Sequence, residues 1–327
     1  MNTRARGVSA RNLIDFHTHL TLHWNTLPAL VRAHHPRRID PLAPLLRSTF
    51  WRSYEALRYQ NLVRRRSLFE GPLERVLNRI IRSFHREEPE DLLTRMDRCG
   101  IAASVVLAVP PVVPNEAVLR ACAQSHRLIP FISPLPDLPP EPQISRLLQA
   151  GGRGIKVHPL LQHVIVDSDF VTRIAQEAAR YQVPLVIHAG GSGRMFGLDA
   201  HHRTEPEEFA RLARRVPEAQ IVIAHAGLWE SPEIMVAAAP HDNLFLDVSF
   251  QSPAALRELR RRIPPHRLLL GSDSPMGNIE IVIDNCVQAG FTREELDSLF
   301  WKNAKRLLGE PQIDERPAPS AGNLPRI

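Results

Sequence analysis

The strongest constraint in this chain is a rhythm of short apolar runs, each followed by a stretch of helical periodicity. The runs are SVVLAV (104–109), LIPFIS (128–133), GIKVHP (154–159), PLVIHAG (184–190), QIVIAHAG (220–227), NLFLDVSF (243–250) and RLLLGSDSP (267–275), with LIDFHTHL (13–20) ahead of them. Near-continuous β-branched and aliphatic character is what a parallel strand covered on both faces requires. The stretches between, such as 169–181 and 205–219, are amphipathic at helical spacing. Eight strands, each followed by a helix, predict an α/β protein built as a (β/α)8 TIM barrel rather than a doubly wound open sheet.

The first connection breaks the rhythm. Residues 21–86 separate the first strand from a helix predicted over 89–99, far more than an ordinary βα loop. Within them Leu73, Val76, Leu77, Ile80, Ile81 and Phe84 recur at helical spacing behind Pro72, and an earlier helix over 46–63 carries Trp51, Tyr54 and Leu57. This reads as a helical insertion after strand 1, leaving the barrel at its C-terminal face and expected to cap the mouth. The domain organisation expected is an arm (1–12), a barrel (13–309) that includes the cap (21–86), closed by a helix over 292–308, and a mobile Pro-rich tail (310–327). No internal repeat is evident.

Composition narrows the class. At 327 residues, 43% apolar and 23% charged, the chain can bury a sizeable core. No apolar run approaches the roughly 20 residues needed to span a bilayer, and residues 1–12 lack the apolar segment of a secretory signal. Cys99, Cys122 and Cys286 are scattered, which excludes a disulfide framework and a cysteine zinc knuckle. A cytoplasmic protein is expected, with no membrane partner, a small-molecule substrate and scope for homo-oligomers through apolar cap surfaces.

Only three of the 41 basic residues are lysines (Lys156, Lys302, Lys305), and residues 21–86 hold 13 arginines against 4 acids. A basic cap would draw anionic, carboxylate-bearing molecules toward the mouth. Nucleic-acid binding is the competing reading, but no RRM, zinc-finger or helix-turn-helix signature supports it.

Chemistry concentrates at strand ends, where barrel active sites lie. His17 and His19, two apart on a strand, project to one face and suit a divalent metal such as zinc. His188, His225 and Asp273 each follow an apolar strand and precede small residues, and Lys156 and His158 share a face on strand four. Packing alone does not explain so many polar strand ends. Weaker candidates are Asp247 and Ser249 after strand seven, as partners of ligands, and Arg194 in the glycine-rich GGSGRMFG (190–197), as a binder of a substrate carboxylate. Ser272 and Ser274 lack the partners of a serine triad.

Taken in order, IDFHTHL, GIKVHP, VIHAG, IAHAG, GSDSP and WKNAKRLLG make the chain resemble the metal-dependent amidohydrolase superfamily, in particular the amidohydrolase-related branch with the aminocarboxymuconate-semialdehyde decarboxylase-like enzymes. The resemblance spans roughly residues 13–309. It implies that His17, His19, His188 and Asp273 bind metal. It also implies that Asp273 and His225 are catalytic, His225 being a second-metal ligand in binuclear members. A strand-four lysine bridges two metals as a carbamate in some of these, which would give Lys156 that role; one ion, zinc, is the favoured expectation. Barrel nucleases that also begin with HxH carry a glutamate on strand four, and this chain has no acid there. The reaction implied is hydrolysis of an amide, ester or lactone-type bond by metal-activated water, with non-oxidative decarboxylation of a small carboxylic acid as the alternative.

Overall fold

The structure is a computed structural model that describes residues 13–20, 88–110, 113–190 and 204–309. The arm, the cap, the tail and Arg194 lie outside the described residues. Eight strands form one parallel sheet in sequential order: β1 (Leu13–Thr18), β2 (Ile101–Leu107), β3 (Leu128–Ile132), β4 (Gly154–Val157), β5 (Leu185–Ile187), β6 (Ile221–Ile223), β7 (Leu244–Asp247) and β8 (Leu268–Leu269). The segment after β8 returns to β1 and closes the ring. Phe16 N–H donates to the Leu270 carbonyl (2.8 Å), Asp273 N–H to His17 (2.8 Å) and His19 N–H to Ser274 (2.6 Å). This is the (β/α)8 barrel the strand rhythm predicts.

The main helix that follows each strand is, in order, α1 (Pro89–Cys99), α2 (Asn115–Cys122), α3 (Pro140–Gln149), α4 (Asp169–Arg180), α5 (Pro206–Arg215), α6 (Ser231–Ala238), α7 (Pro253–Arg262) and α8 (Ile279–Gln288). Their ends follow local chemistry. α1 starts with Pro89 in its first turn behind a Glu88–Asp91 capping box, and stops where Gly100 turns left-handed (φ 72°). Ser168 and Ser252 accept backbone N–H groups at the starts of α4 and α7. A helical run over residues 293–308, with a π turn at Ser298–Lys302, follows α8. Strand β2 begins three residues before the predicted run because Ile101 pairs with Leu13 and Ala103 with Ile14, across a register shift at Ala102, although alanine carries little strand propensity of its own.

Two apolar layers hold the barrel. Outside, Ile155, Val157, Leu185, Ile187, Ile221, Ile223, Leu244 and Leu246 pack against helix residues such as Ile174, Leu212 and Leu256. A second cluster joins Phe16, Val105, Phe131, Val186, Val222, Phe245 and Leu269 with Ala304, Leu307 and Leu308 from the last helix. Polar side chains replace apolar ones at the strand ends above it. In β1 the register slips: three residues from Asp15 to Thr18 span two of β2. Such a bulge resets side-chain phase, so Phe16 packs in the apolar cluster while its neighbour His17 joins the polar rim. Among the described residues no helix is long and apolar enough to cross a membrane.

Candidate active site

Two strand ends, those of β1 and β8, supply a compact triangle of three acceptor atoms. His17 Nε2 lies 3.3 Å from His19 Nε2, and each lies 3.2 Å from Asp273 Oδ1. The tautomers can be deduced from the other ring nitrogens. His17 Nδ1 meets the Asp247 carboxylate at 2.8 Å and His19 Nδ1 meets the Leu107 carbonyl at 3.2 Å. Both partners only accept, so both protons sit on Nδ1 and both Nε2 atoms present lone pairs. Burial, helped by repulsion from Lys156, holds His17 neutral far below the usual histidine range.

Two lone pairs and a carboxylate oxygen facing one another at this distance repel unless a cation lies between them. Donor atoms bound to one ion at about 2.0–2.1 Å sit about 3.0–3.4 Å apart, and the triangle has those edges. The donor set therefore fits a divalent metal. His17, Asp247 and His225 also cluster; there Asp247 Oδ2 already accepts from His17 Nδ1–H and from the His225 backbone N–H.

Gly271 makes the triangle buildable: a Cβ there would lie 2.7 Å from Asp247 Oδ1 and 3.0 Å from His17 Cβ. Asp273 itself sits at φ 57°. Below it Asp15, unmarked by the sequence reading, accepts from the Ser272 hydroxyl (2.5 Å), Ser272 N–H (2.9 Å) and His17 N–H (3.2 Å). It ties β1 to the loop that carries Asp273. Burial pushes its carboxyl up to about 7, against the pull of those hydrogen bonds. A signal was present in the i, i+2, i+4 series Asp15, His17, His19. Ser272 is thus a donor to Asp15 in this network, with no triad geometry around it.

The β4/β5 side differs. His158 and His188 stack with centroids 4.0 Å apart and 11° between planes, and His188 meets His225 edge-on at 5.1 Å. His188 is in neither three-atom cluster within ligand range. His158 Nδ1 accepts from Leu161 N–H at 3.3 Å, which leaves its proton on Nε2, the reverse of His17 and His19. Lys156 is fully buried and its ammonium has no hydrogen-bond partner among the described residues. Burial lowers it to about 8, opposed by the charges of Asp273 and Asp247. His158, His188 and His225 are likewise held neutral, chiefly by burial.

A parallel eightfold barrel with imidazoles and a carboxylate converging at its strand ends defines the class of metal-dependent barrel enzymes. The sequence makes the class specific: residues 14–309 match the family described as amidohydrolase, and the chain belongs to that family. No curated protein matches it. Solved structures share the fold at low identity. An uncharacterised TIM-barrel protein of Bordetella bronchiseptica is 15% identical, with 91% of this chain and 99% of that one covered and a TM-score of 0.63. For 2,6-dihydroxybenzoate decarboxylase from Rhizobium the values are 15%, 91%, 98% and 0.60. For a probable 2-pyrone-4,6-dicarboxylic acid hydrolase from Acinetobacter baumannii, solved with citric acid bound, they are 14%, 91%, 99% and 0.58.

Proposed function

We propose that this protein is a metal-dependent hydrolase acting on an amide, ester or lactone-type bond of a small anionic molecule. The observation that carries this reading is the acceptor triangle of His17, His19 and Asp273 with edges of 3.2–3.3 Å. These three, with His188 at the end of β5, would hold one divalent ion, and their nitrogen and oxygen atoms suit zinc. Such an ion supplies Lewis acidity and makes water a nucleophile near neutral pH.

The chain's own groups then have distinct tasks. Asp273 takes the proton of the attacking water and returns it to the leaving group. His225 presents an imidazole nitrogen that can take up and hold a proton. Lys156 and the Nε2–H of His158 bring positive charge and a donor to the opposite side of the mouth, where a substrate carboxylate or carbonyl oxygen fits. The chain leaves β1 at His19 beside the triangle, and the arginine-rich segment 21–86 follows directly in sequence; this supports its reading as a cap that gathers anions, with Arg194 as a further carboxylate binder.

Decarboxylation is the second reading. It is favoured by Lys156, a buried cation placed where a carboxylate would bind, and by the names of neighbours that include 2,6-dihydroxybenzoate decarboxylase and 5-carboxyvanillate decarboxylase. Assay of an ester, lactone and amide panel beside aromatic carboxylates separates the two. Bond cleavage without carbon dioxide supports hydrolysis; carbon dioxide release without it replaces hydrolysis by decarboxylation. Metal-loaded protein that turns over neither panel argues against both.

A further inference from the structure

Four positive-φ residues in succession, His225 (58°), Ala226 (44°), Gly227 (84°) and Leu228 (50°), place His225 on a strained turn directly after β6. Its backbone is pinned at both ends: the N–H donates to Asp247 Oδ2 (3.0 Å) and the carbonyl accepts from Gln251 Nε2 (2.6 Å). Its ring Nδ1 lies 2.7 Å from Ser249 Oγ. Ser249 in turn contacts Asp247 Oδ1 through its hydroxyl, and its N–H donates to the same oxygen at 2.9 Å. The other oxygen of Asp247 receives His17 Nδ1–H.

The proton count along this path has one solution with Asp247 ionised. A carboxylate only accepts, so the single hydroxyl hydrogen of Ser249 goes to Asp247. Ser249 Oγ must then accept from the ring, so the proton of His225 sits on Nδ1 and Nε2 carries the lone pair. In water the isolated imidazole prefers the reverse. Placing the lone pair on Nδ1 would require Asp247 to be protonated while it also receives N–H groups from His17, His225 and Ser249.

We infer that Ser249 is a positioning residue for the proposed reaction: it fixes the Nδ1–H tautomer of His225, and through Asp247 it anchors His225 to the carboxylate that orients His17. This deepens the hydrolase reading and rests on it for its catalytic meaning, whereas the tautomer is a property of the folded chain alone. Fixed this way, Nε2 of His225 can accept a proton in the mouth, and the imidazolium so formed is steadied by Ser249 with Asp247 behind it.

Long-range 1H–15N spectra of full-length zinc-loaded protein with 15N-histidine, repeated after chelation, read the tautomer directly, with His225→Gln identifying the His225 signals. Wild type should show a protonated Nδ1 and a bare Nε2 at His225 in both states. Ser249→Ala should convert His225 to an exchanging mixture while His17 keeps its signature, and Ser249→Thr should restore the wild-type pattern. On a turned-over substrate, kcat should fall about 10- to 100-fold in Ser249→Ala with KM little changed. Wild-type His225 protonated at Nε2, or an unchanged tautomer in Ser249→Ala, overturns the assignment. A moved tautomer with unchanged kcat overturns its part in the reaction. Protein that takes up no metal and cleaves nothing refutes the hydrolase reading and leaves the tautomer result standing.

Discussion

The two sides of the barrel mouth share histidine and do opposite things with it. On the β1/β8 side, His17, His19 and Asp273 offer acceptors only, and their geometry calls for a cation. On the β4/β5 side, Lys156 brings a cation of its own, and His158 carries its proton on Nε2 because its Nδ1 is taken by Leu161 N–H. In all three histidines the hydrogen bond occupies Nδ1, and the difference lies in whether its partner accepts or donates. A partner that accepts makes a histidine a ligand, and a partner that donates makes it a donor. One side is thereby suited to metal and the other to the oxygen atoms of a substrate.

The largest effect should come from removing an apex of the triangle. His17→Ala and Asp273→Ala should lose bound metal, from near one ion per chain to near none, and more than about 100-fold of activity. Elemental analysis of the purified proteins checks this. His188→Ala belongs in the same series: retention of metal there would confine the ligands to the triangle. Two ions per chain in wild type would erase the division between the sides and promote Lys156, as its carbamate, to a ligand.

A smaller effect on activity is expected from the cation side, together with a gain in stability. Lys156 is a base whose folded-state pKa is depressed to about 8 from 10.5, so its stability term is complete above 10.5 and is lost as pH falls through about 8. Below that the buried charge costs on the order of 3 kcal/mol. In chelated protein, Lys156→Met should therefore be more stable than wild type at pH 7, the gain shrinking between pH 8 and 10.5, while activity on an anionic substrate falls. Denaturant unfolding across that range checks the slope; a stability loss at pH 7 would mean that the ammonium is usefully paired.

Asp247→Asn probes the link between the sides through His17 and should weaken metal binding or activity about 10- to 100-fold. A competition titration against a chelator measures the binding part. Of these elements the sequence showed some and concealed others, for physical reasons. Apolar strand runs and polar strand ends are local, so the barrel and the positions of His17, His19, His188, His225 and Asp273 at its strand ends are legible in the sequence alone. What His158 and His225 can do is not, because a tautomer is set by partners such as Leu161 N–H and Ser249 Oγ, which spacing does not encode. Asp15 escaped notice because its partner, Ser272, lies 257 residues away in sequence.

The smallest effect isolates His158. Its ring caps the single turn Pro159–Gln162 by accepting from Leu161 N–H, so replacing that acceptor should cost about 1 kcal/mol, the ordinary value of a helix cap. His158→Leu removes both the cap and the outward donor; His158→Asn keeps a short side-chain oxygen able to cap while withdrawing the donor from the mouth. If the two sides differ as their hydrogen bonds indicate, both variants should keep full metal content, Asn should recover most of the stability lost in Leu, and both should raise KM for an anionic substrate. Unfolding midpoints, elemental analysis and steady-state kinetics on the same preparations give the three readouts. Loss of metal in His158→Asn would move this histidine to the ligand side and break the comparison.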